Sequence, residues 1–419
     1  MGSRWCDEPV ATLLPTIANM SRLSELSVEI WENILRHAMY VPDFLDPDAF
    51  EGIIFYAPHA FQVDRPLKCY EKAYWKAERR RTLLRLVCKP WSDYCNLPRF
   101  QHRFVRMEDI WHNKIRETSL KTAIRVNFRF HECSCTERCL TASQGGSLAL
   151  LRQRYNEFCL QVIASVGPMR MEIADFSSID VDDLAGSVAL QNMKKVKTLL
   201  TSVSSYKNIA ILSREMQDLT HFHTYSSGFQ GPLVSLRSSG LVSLHFNTRG
   251  VVEYKEIVWH LPSLRYLGIV YDGHFCSSTF LYDFLLPVLR VVGSRLRSLY
   301  VSTGPVDYKI PSDIWNMCPV LERIHASADM EAPPPDFHPL HTACIPLSDF
   351  DVLSILNMDT SIFTWPNLRR VIINTSWHLI ENGSHGFWRW LLEWTRLGIT
   401  LEDRYGHTLE DFKRSFRKD

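Results

Sequence analysis

The chain has 419 residues, 46% of them apolar, enough for a large buried core and for two or three domains. Lys plus Arg number 47 against 46 for Asp plus Glu, so the near-zero net charge excludes the basic footprint of a general nucleic-acid binder. Eleven scattered cysteines, an odd count, exclude a disulfide scaffold and point to reduced thiols in the cytosol or nucleus. Residues 1–22 read as a flexible tail, without a basic-then-apolar leader. No run of about 18 apolar residues predicts a membrane span.

The first patterned stretch is Leu23 to Met39. Ser27 can cap a helix there, and Glu29 sits where a helix start favours negative charge. Ile30, Trp31, Ile34, Leu35 and Ala38 recur at spacings of three and four, which predicts one apolar stripe. Pro42, Asp43, Asp46, Pro47 and Asp48 then read as turns, and a charged helix is expected over about Leu67 to Arg81. Leu83, Leu84, Leu86 and Val87 follow, before Cys88. Pro90 ends that run and can open a further helix carrying Trp91.

Leu26-x-x-Glu29-Ile30, then Ile34-Leu35, then Leu86-Val87-Cys88-Lys89-x-Trp91 resembles the F-box. Leu26-Ser27 stands where the family usually has Leu-Pro, and an insertion at about 40–80 separates the two halves. F-box proteins of mushroom-forming fungi are similar in having a Val-Pro-x-x-Leu-Asp-Pro segment, here Val41 to Pro47, before the second half. The resemblance implies a helical domain over 23–105 that docks on a Skp adaptor. Leu26, Ile30, Trp31, Ile34, Leu35, Leu86, Val87 and Trp91 would form the adaptor-binding face. A small three-helix unit cannot cover all of these itself, and exposed apolar patches mark partner sites.

Beyond about Leu120 the pattern changes. Ile124, Val126, Phe128 and Phe130 alternate with polar residues, which predicts a strand. Ser147 opens a helix with Leu148, Leu151, Tyr155, Phe158, Val162 and Val166 on one face, stopped by Gly167-Pro168. A template then recurs: Leu219-x-x-Phe222, Leu241-x-x-Leu244, Leu264-x-x-Leu267, Leu296-x-x-Leu299, Leu321-x-x-Ile324 and Leu368-x-x-Val371. Weaker copies lie at Met169 to Ile173 and Val196 to Leu200, and a helical pattern runs from Ser277 to Val292 with Gly293 as its stop. The spacing suits leucine-rich repeats with two insertions, the larger holding Pro333-Pro334-Pro335. The fold class expected is α/β: an N-terminal helical F-box, then over 106–419 an irregular leucine-rich-repeat-like solenoid with a parallel sheet. That family's buried Asn is replaced by Arg249, Asp272, Gly304, Asp329 and Ser376, so no asparagine ladder is expected.

One loop is rich in metal-ligand types: His131, Cys133, Cys135 and Cys139. It reads either as a zinc site or as a polar loop with free thiols, and its spacing is not that of known zinc pairs. Trp388, Trp390 and Trp394 predict an aromatic helix that is either core or the wall of a pocket. No nucleophile elbow, phosphate loop or dinucleotide fingerprint is present, so no catalytic residue, cofactor or metal is assigned.

The function expected is that of a substrate-recognition subunit of an SCF-type cullin ubiquitin ligase, in the cytoplasm or nucleus. Its partners would be a Skp adaptor and an unknown target protein, with no nucleic acid and no membrane. The alternatives are a ligase-independent F-box scaffold and an enzyme hidden in the repeats. If the template leucines face the core, two columns face the other way. One reads His223, His245, Gly268, Tyr300, His325 and Ile372; the other reads His221, Ser243, Tyr266, Ser298, Arg323 and Arg370. His223, His245, Tyr300 and Arg323 are the expected target contacts, with binding that weakens below about pH 6.5 against a basic target. The loop around Pro333 to Pro339 is the other candidate surface.

Overall fold

In a computed structural model, the structure describes residues 27–39, 45, 65–97, 100, 103–128, 148–180, 188–202, 211–212, 214–224, 235–248, 258–271, 280–303, 309–326, 330–345, 365–373, 395–403 and 407–416. The chain divides into two units, one containing 72–100 together with the first helix and the other containing everything from 101 onward and, among the earlier described residues, 45 and 65–71. Leu26, residues 46–64, the His131, Cys133, Cys135 and Cys139 cluster, and the Trp388, Trp390 and Trp394 segment lie outside the described residues.

The helical unit contains α1 (Val28–Met39), the C-terminal part of α2 (Arg65–Leu84) and α3 (Lys89–Cys95). α1 begins where the Trp31 amide donates to the Ser27 carbonyl at 3.1 Å. The Glu29 carboxyl is held below its ordinary range by its own backbone amide and by the Ser27 hydroxyl. The charged helix expected to end near Arg81 runs to Leu84, and α3 starts at Lys89 with Pro90 in its first turn, where a missing amide hydrogen costs nothing. Leu35, Met39, Cys95 and Phe100 form the interior, with Leu84, Trp91 and Tyr94 packed against it.

The second unit is built on a parallel sheet of twelve strands in sequence order, with a separate two-stranded ribbon. The sheet strands are β1 (Phe104–Arg106), β2 (Arg125–Asn127), β3 (Ile173–Asp180), β4 (Thr198–Ser202), β5 (His221–Thr224), β7 (Ser243–Thr248), β9 (Tyr266–Tyr271), β10 (Ser298–Thr303), β11 (Arg323–Ala326), β12 (Thr342–Ile345), β13 (Arg370–Ile373) and β14 (Thr400–Asp403). The ribbon is β6 (Ser235–Arg237) with β8 (Val258–His260). The six strong sequence copies coincide with β5, β7, β9, β10, β11 and β13 and the weak copy at Val196 to Leu200 with β4, while Met169 to Ile173 meets β3 only at Ile173, two residues out of register.

The register explains the template. Val105, Val126, Ala174, Leu199, Phe222, Leu244, Leu267, Leu299, Ile324, Ala343, Val371 and Leu401 pair in one unbroken row. All are buried and all but Val371 and Leu401 belong to one continuous core, where each large side chain contributes about 1.5–3 kcal/mol. The core is closed on its other side by α5 (Leu148–Val166), the β6/β8 ribbon, a π-helical turn (Phe280–Leu285) running into a helix (Leu286–Val292), and short turns between them; here α4 denotes Met107–Trp111. Gly167 has φ +77 just after α5, the left-handed stop its sequence implied.

Backbone hydrogen bonds lead into the strands as a ladder, while Arg249, Asp272, Gly304, Asp329 and Ser376, which stand at the family's Asn position, lie outside the described residues. Just before each strand, a single carbonyl accepts two successive amide hydrogens from the next repeat. Arg103 O takes Ile124 and Arg125, Thr220 O takes Val242 and Ser243, Arg297 O takes Glu322 and Arg323, and the series continues to Arg369 O with Thr400, all at 2.8–3.2 Å. In the six strong copies the ladder residue is the one after the first template residue, as in Leu219-Thr220 and Leu321-Glu322.

Candidate protein-docking surfaces

Two surfaces were expected to meet partners, one in each unit. In the helical unit the single stripe expected on α1 is split. Trp31 is edge-on to Trp91 at 4.6 Å between ring centroids, and Leu35 and Met39 are sealed in the interior. Leu35 is only 2% exposed, so its expected place on the adaptor-facing surface is corrected: it holds the unit together. The cause is α3, whose Tyr94 hydroxyl donates to the Glu32 carbonyl at 3.0 Å and whose ring lies 5.2 Å from Phe100. That bond draws the Trp31/Leu35 side of α1 onto α3 and leaves Ile30 and Ile34, each 46% exposed, turned away.

Leu86 and Val87 lie in the turn between α2 and α3, and Leu86 is 79% exposed. Val28, Leu83 and Leu97 are also exposed. Arg81 shapes this turn: it pairs with Glu78 at 2.8 Å and donates to the Cys95 carbonyl at 3.1 Å, tying α2 to the end of α3. The result is an unusual concentration of uncovered aliphatic side chains on a small unit whose interior is already filled. Water disfavours such a surface, and a partner's apolar surface would relieve it.

In the sheet unit both expected columns form, on the face opposite the core. Across the strands the first reads His223, His245, Gly268, Tyr300, His325, Cys344, Ile372 and Glu402, the second His221, Ser243, Tyr266, Ser298, Arg323, Thr342, Arg370 and Thr400. Successive rings contact one another: His223 and His245 at 6.0 Å, His245 and Tyr300 at 6.0 Å, and Tyr300 and His325 stacked at 4.1 Å. The ring of His245 occupies the space above Gly268, where an added Cβ would sit 2.2 Å from its Cδ2.

These columns do not present the open face that was expected. His223, His245 and Tyr300 are 0%, 2% and 1% exposed, and only Arg323 of the four expected target contacts is partly accessible. Burial also lowers the pKa values of the histidines. His245 is pushed down to about 4, and His223 well below 6.5, with His245 and His221 adding to the effect. A histidine kept neutral in this way cannot weaken binding near pH 6.5 by gaining charge, so that expectation is corrected as well. Burial likewise raises the Tyr300 hydroxyl and the Cys344 thiol.

Two clefts accompany these surfaces. One, of about 240 Å³, lies in the helical unit among Glu29, Glu32, Asn33, Arg36, Tyr94 and Phe100. The other, of about 560 Å³, lies in the sheet unit beside Trp111 and Phe158, whose rings are edge-on at 4.8 Å. Among the described residues no three His, Cys, Asp or Glu side chains converge as metal ligands, and no helix is long and apolar enough to cross a membrane. Sequence reasoning underrated the segment from Met330 to Leu340: its Phe337 is 89% exposed, a property that a proline-rich composition does not encode. No family model matches the chain, and no match was found among the curated proteins.

Proposed function

We propose that this chain recruits a target protein to a cullin-type ubiquitin ligase, with the helical unit acting as an F-box that docks on a Skp adaptor. One observation carries the reading: Ile30, Ile34, Leu86 and Val87 are exposed on a unit whose interior is complete without them. These positions belong to the segments whose sequence resembles the F-box. The sheet unit would hold the target, raising its concentration near the ubiquitin-charged enzyme. A ligase-independent scaffold would use the same adaptor contact and differ only in leaving target turnover unchanged.

The test separates surface from interior. Ile30→Asp places a charge at an exposed position, so the chain keeps its fold, while adaptor binding loses a buried side chain worth about 1.5–3 kcal/mol and gains an unpaired charge. Leu35→Asp, by contrast, puts the charge inside and unfolds the unit. Titration of purified chain with recombinant Skp adaptor reads both. Equal affinity for wild type and Ile30→Asp would remove the adaptor reading.

A further inference from the structure

The turns before three successive strands each carry proline, three or four residues ahead of the strand. Cys318-Pro319-Val320-Leu321 precedes β11, His338-Pro339-Leu340 precedes β12, and Trp365-Pro366-Asn367-Leu368 precedes β13. Hydrogen bonds join the three turns. Leu340 N donates to His338 Nδ1 at 3.3 Å, so that nitrogen carries no proton and Nε2 is the donor to the Cys318 carbonyl at 3.0 Å. Asn367 Nδ2 donates to the Asp336 and His338 carbonyls at 2.7 and 2.9 Å. Trp315 Nε1 donates to the Ala332 carbonyl at 3.1 Å, and Glu331 N to the Ile310 carbonyl at 2.9 Å. The segment from Glu331 to Leu340 is therefore fixed at both ends and in the middle.

In that middle stands Phe337, the most exposed large apolar side chain among the described residues. Val320 is exposed on the preceding turn, and Pro319, Pro339 and Pro366 are exposed beside them. Asp336, Glu331 and Asp313 are exposed and acidic, and the Glu331 carboxylate accepts the Ser312 amide, which fixes it next to Asp313 in the chain. An aromatic side chain held on a rigid backbone loses little freedom on binding, and such residues dominate interface energetics. The acidic neighbours select a partner of opposite charge.

We infer that this ridge is a protein-docking surface, on which Phe337 enters an apolar pocket of a partner protein and Asp336 and Glu331 face that pocket's cationic rim. It does not rest on the adaptor reading, since it concerns a different unit and a different partner. It supplies the accessible contact surface that the buried histidine column does not.

The test uses the full chain. A benzophenone-bearing amino acid is placed at position 337 and, as a control, at position 282, where Tyr282 is also exposed. On irradiation in expressing cells, position 337 should give an adduct with another protein, its linked peptide apolar with Lys or Arg nearby, and position 282 should not. The identified protein, purified, should bind Phe337→Ser about tenfold or more weakly than wild type and Phe337→Tyr nearly as well. Asp336→Lys should weaken binding most at low salt. Because these side chains are exposed, unchanged melting temperatures would show that folding is intact. The inference is overturned by no adduct, by an adduct with lipid or only with a second copy of this chain, or by equal affinity of Phe337→Ser.

Discussion

His245 lies flat across Gly268 with Tyr300 and His223 on either side, and neither of its ring nitrogens has a hydrogen-bond partner among the described residues. Two consequences follow from that placement. Gly268→Ala should cost about 1–3 kcal/mol, because the new methyl and a buried ring compete for one space. Thermal or urea unfolding measures it, and a double variant with His245→Ala should recover part of the loss; strict additivity of the two changes would remove the explanation. The second consequence concerns acid. Above about pH 6.5 His245 is neutral in both the folded and the unfolded chain and adds no pH dependence. As pH falls from 6.5 to about 4, the unfolded chain binds a proton that the folded chain refuses, so stability declines across that window and then levels off. His223 is lowered by the same burial and acts in the same direction. Replacing both with Asn should flatten the dependence of the unfolding midpoint on pH between 4 and 6.5; an unchanged slope would place its origin elsewhere.

At the scale of elements, strands were legible where the template used large aliphatic residues. β12 escaped notice because Ala343 stands in the core row, although Leu340 and the ladder residue His341 keep their places. β14 has Ile399 immediately before it and β1 precedes the first clear repeat, so neither repeats the motif visibly. The α1 stripe shows the other limit. Helical spacing identified its apolar residues but not which half α3 would cover, since that depends on Tyr94 reaching Glu32. Gly293 illustrates a right residue with a different reason. It follows the helix Leu286–Val292 as expected, yet its φ of −58 suits any residue. What requires glycine is proximity: a Cβ there would lie 2.7 Å from the Met317 carbonyl and 2.9 Å from Cys318 Sγ. Backbone cannot rotate away as a side chain can, so Gly293→Ala should destabilise by about 1–3 kcal/mol in chemical denaturation. A neutral result would mean that the turn before β11 shifts freely.

At the scale of the whole molecule, the sheet unit stands on nearest-neighbour contacts, each strand gaining its hydrogen bonds and core partners from the next. The position of its first strand then decides where the unit can be cut. The sequence placed the change of pattern near Leu120, but β1 already pairs with β2, and Val105, Met107, Ile110 and Leu120 belong to the continuous core. The Arg103 carbonyl begins the backbone ladder by accepting Ile124 and Arg125. A fragment of 101–419 keeps that terminal repeat, whereas one of 120–419 bares the edge of β2 and the apolar side chains that β1 and α4 cover. We expect the longer fragment to show cooperative thermal unfolding by circular dichroism. The shorter one should melt at lower temperature and aggregate more readily, as an uncovered strand edge does. Equal melting of the two would show that β1 contributes nothing to the sheet. Failure of both, with the full chain folded, would show that the sheet unit needs its own earlier residues, such as Glu71, which pairs with Arg106.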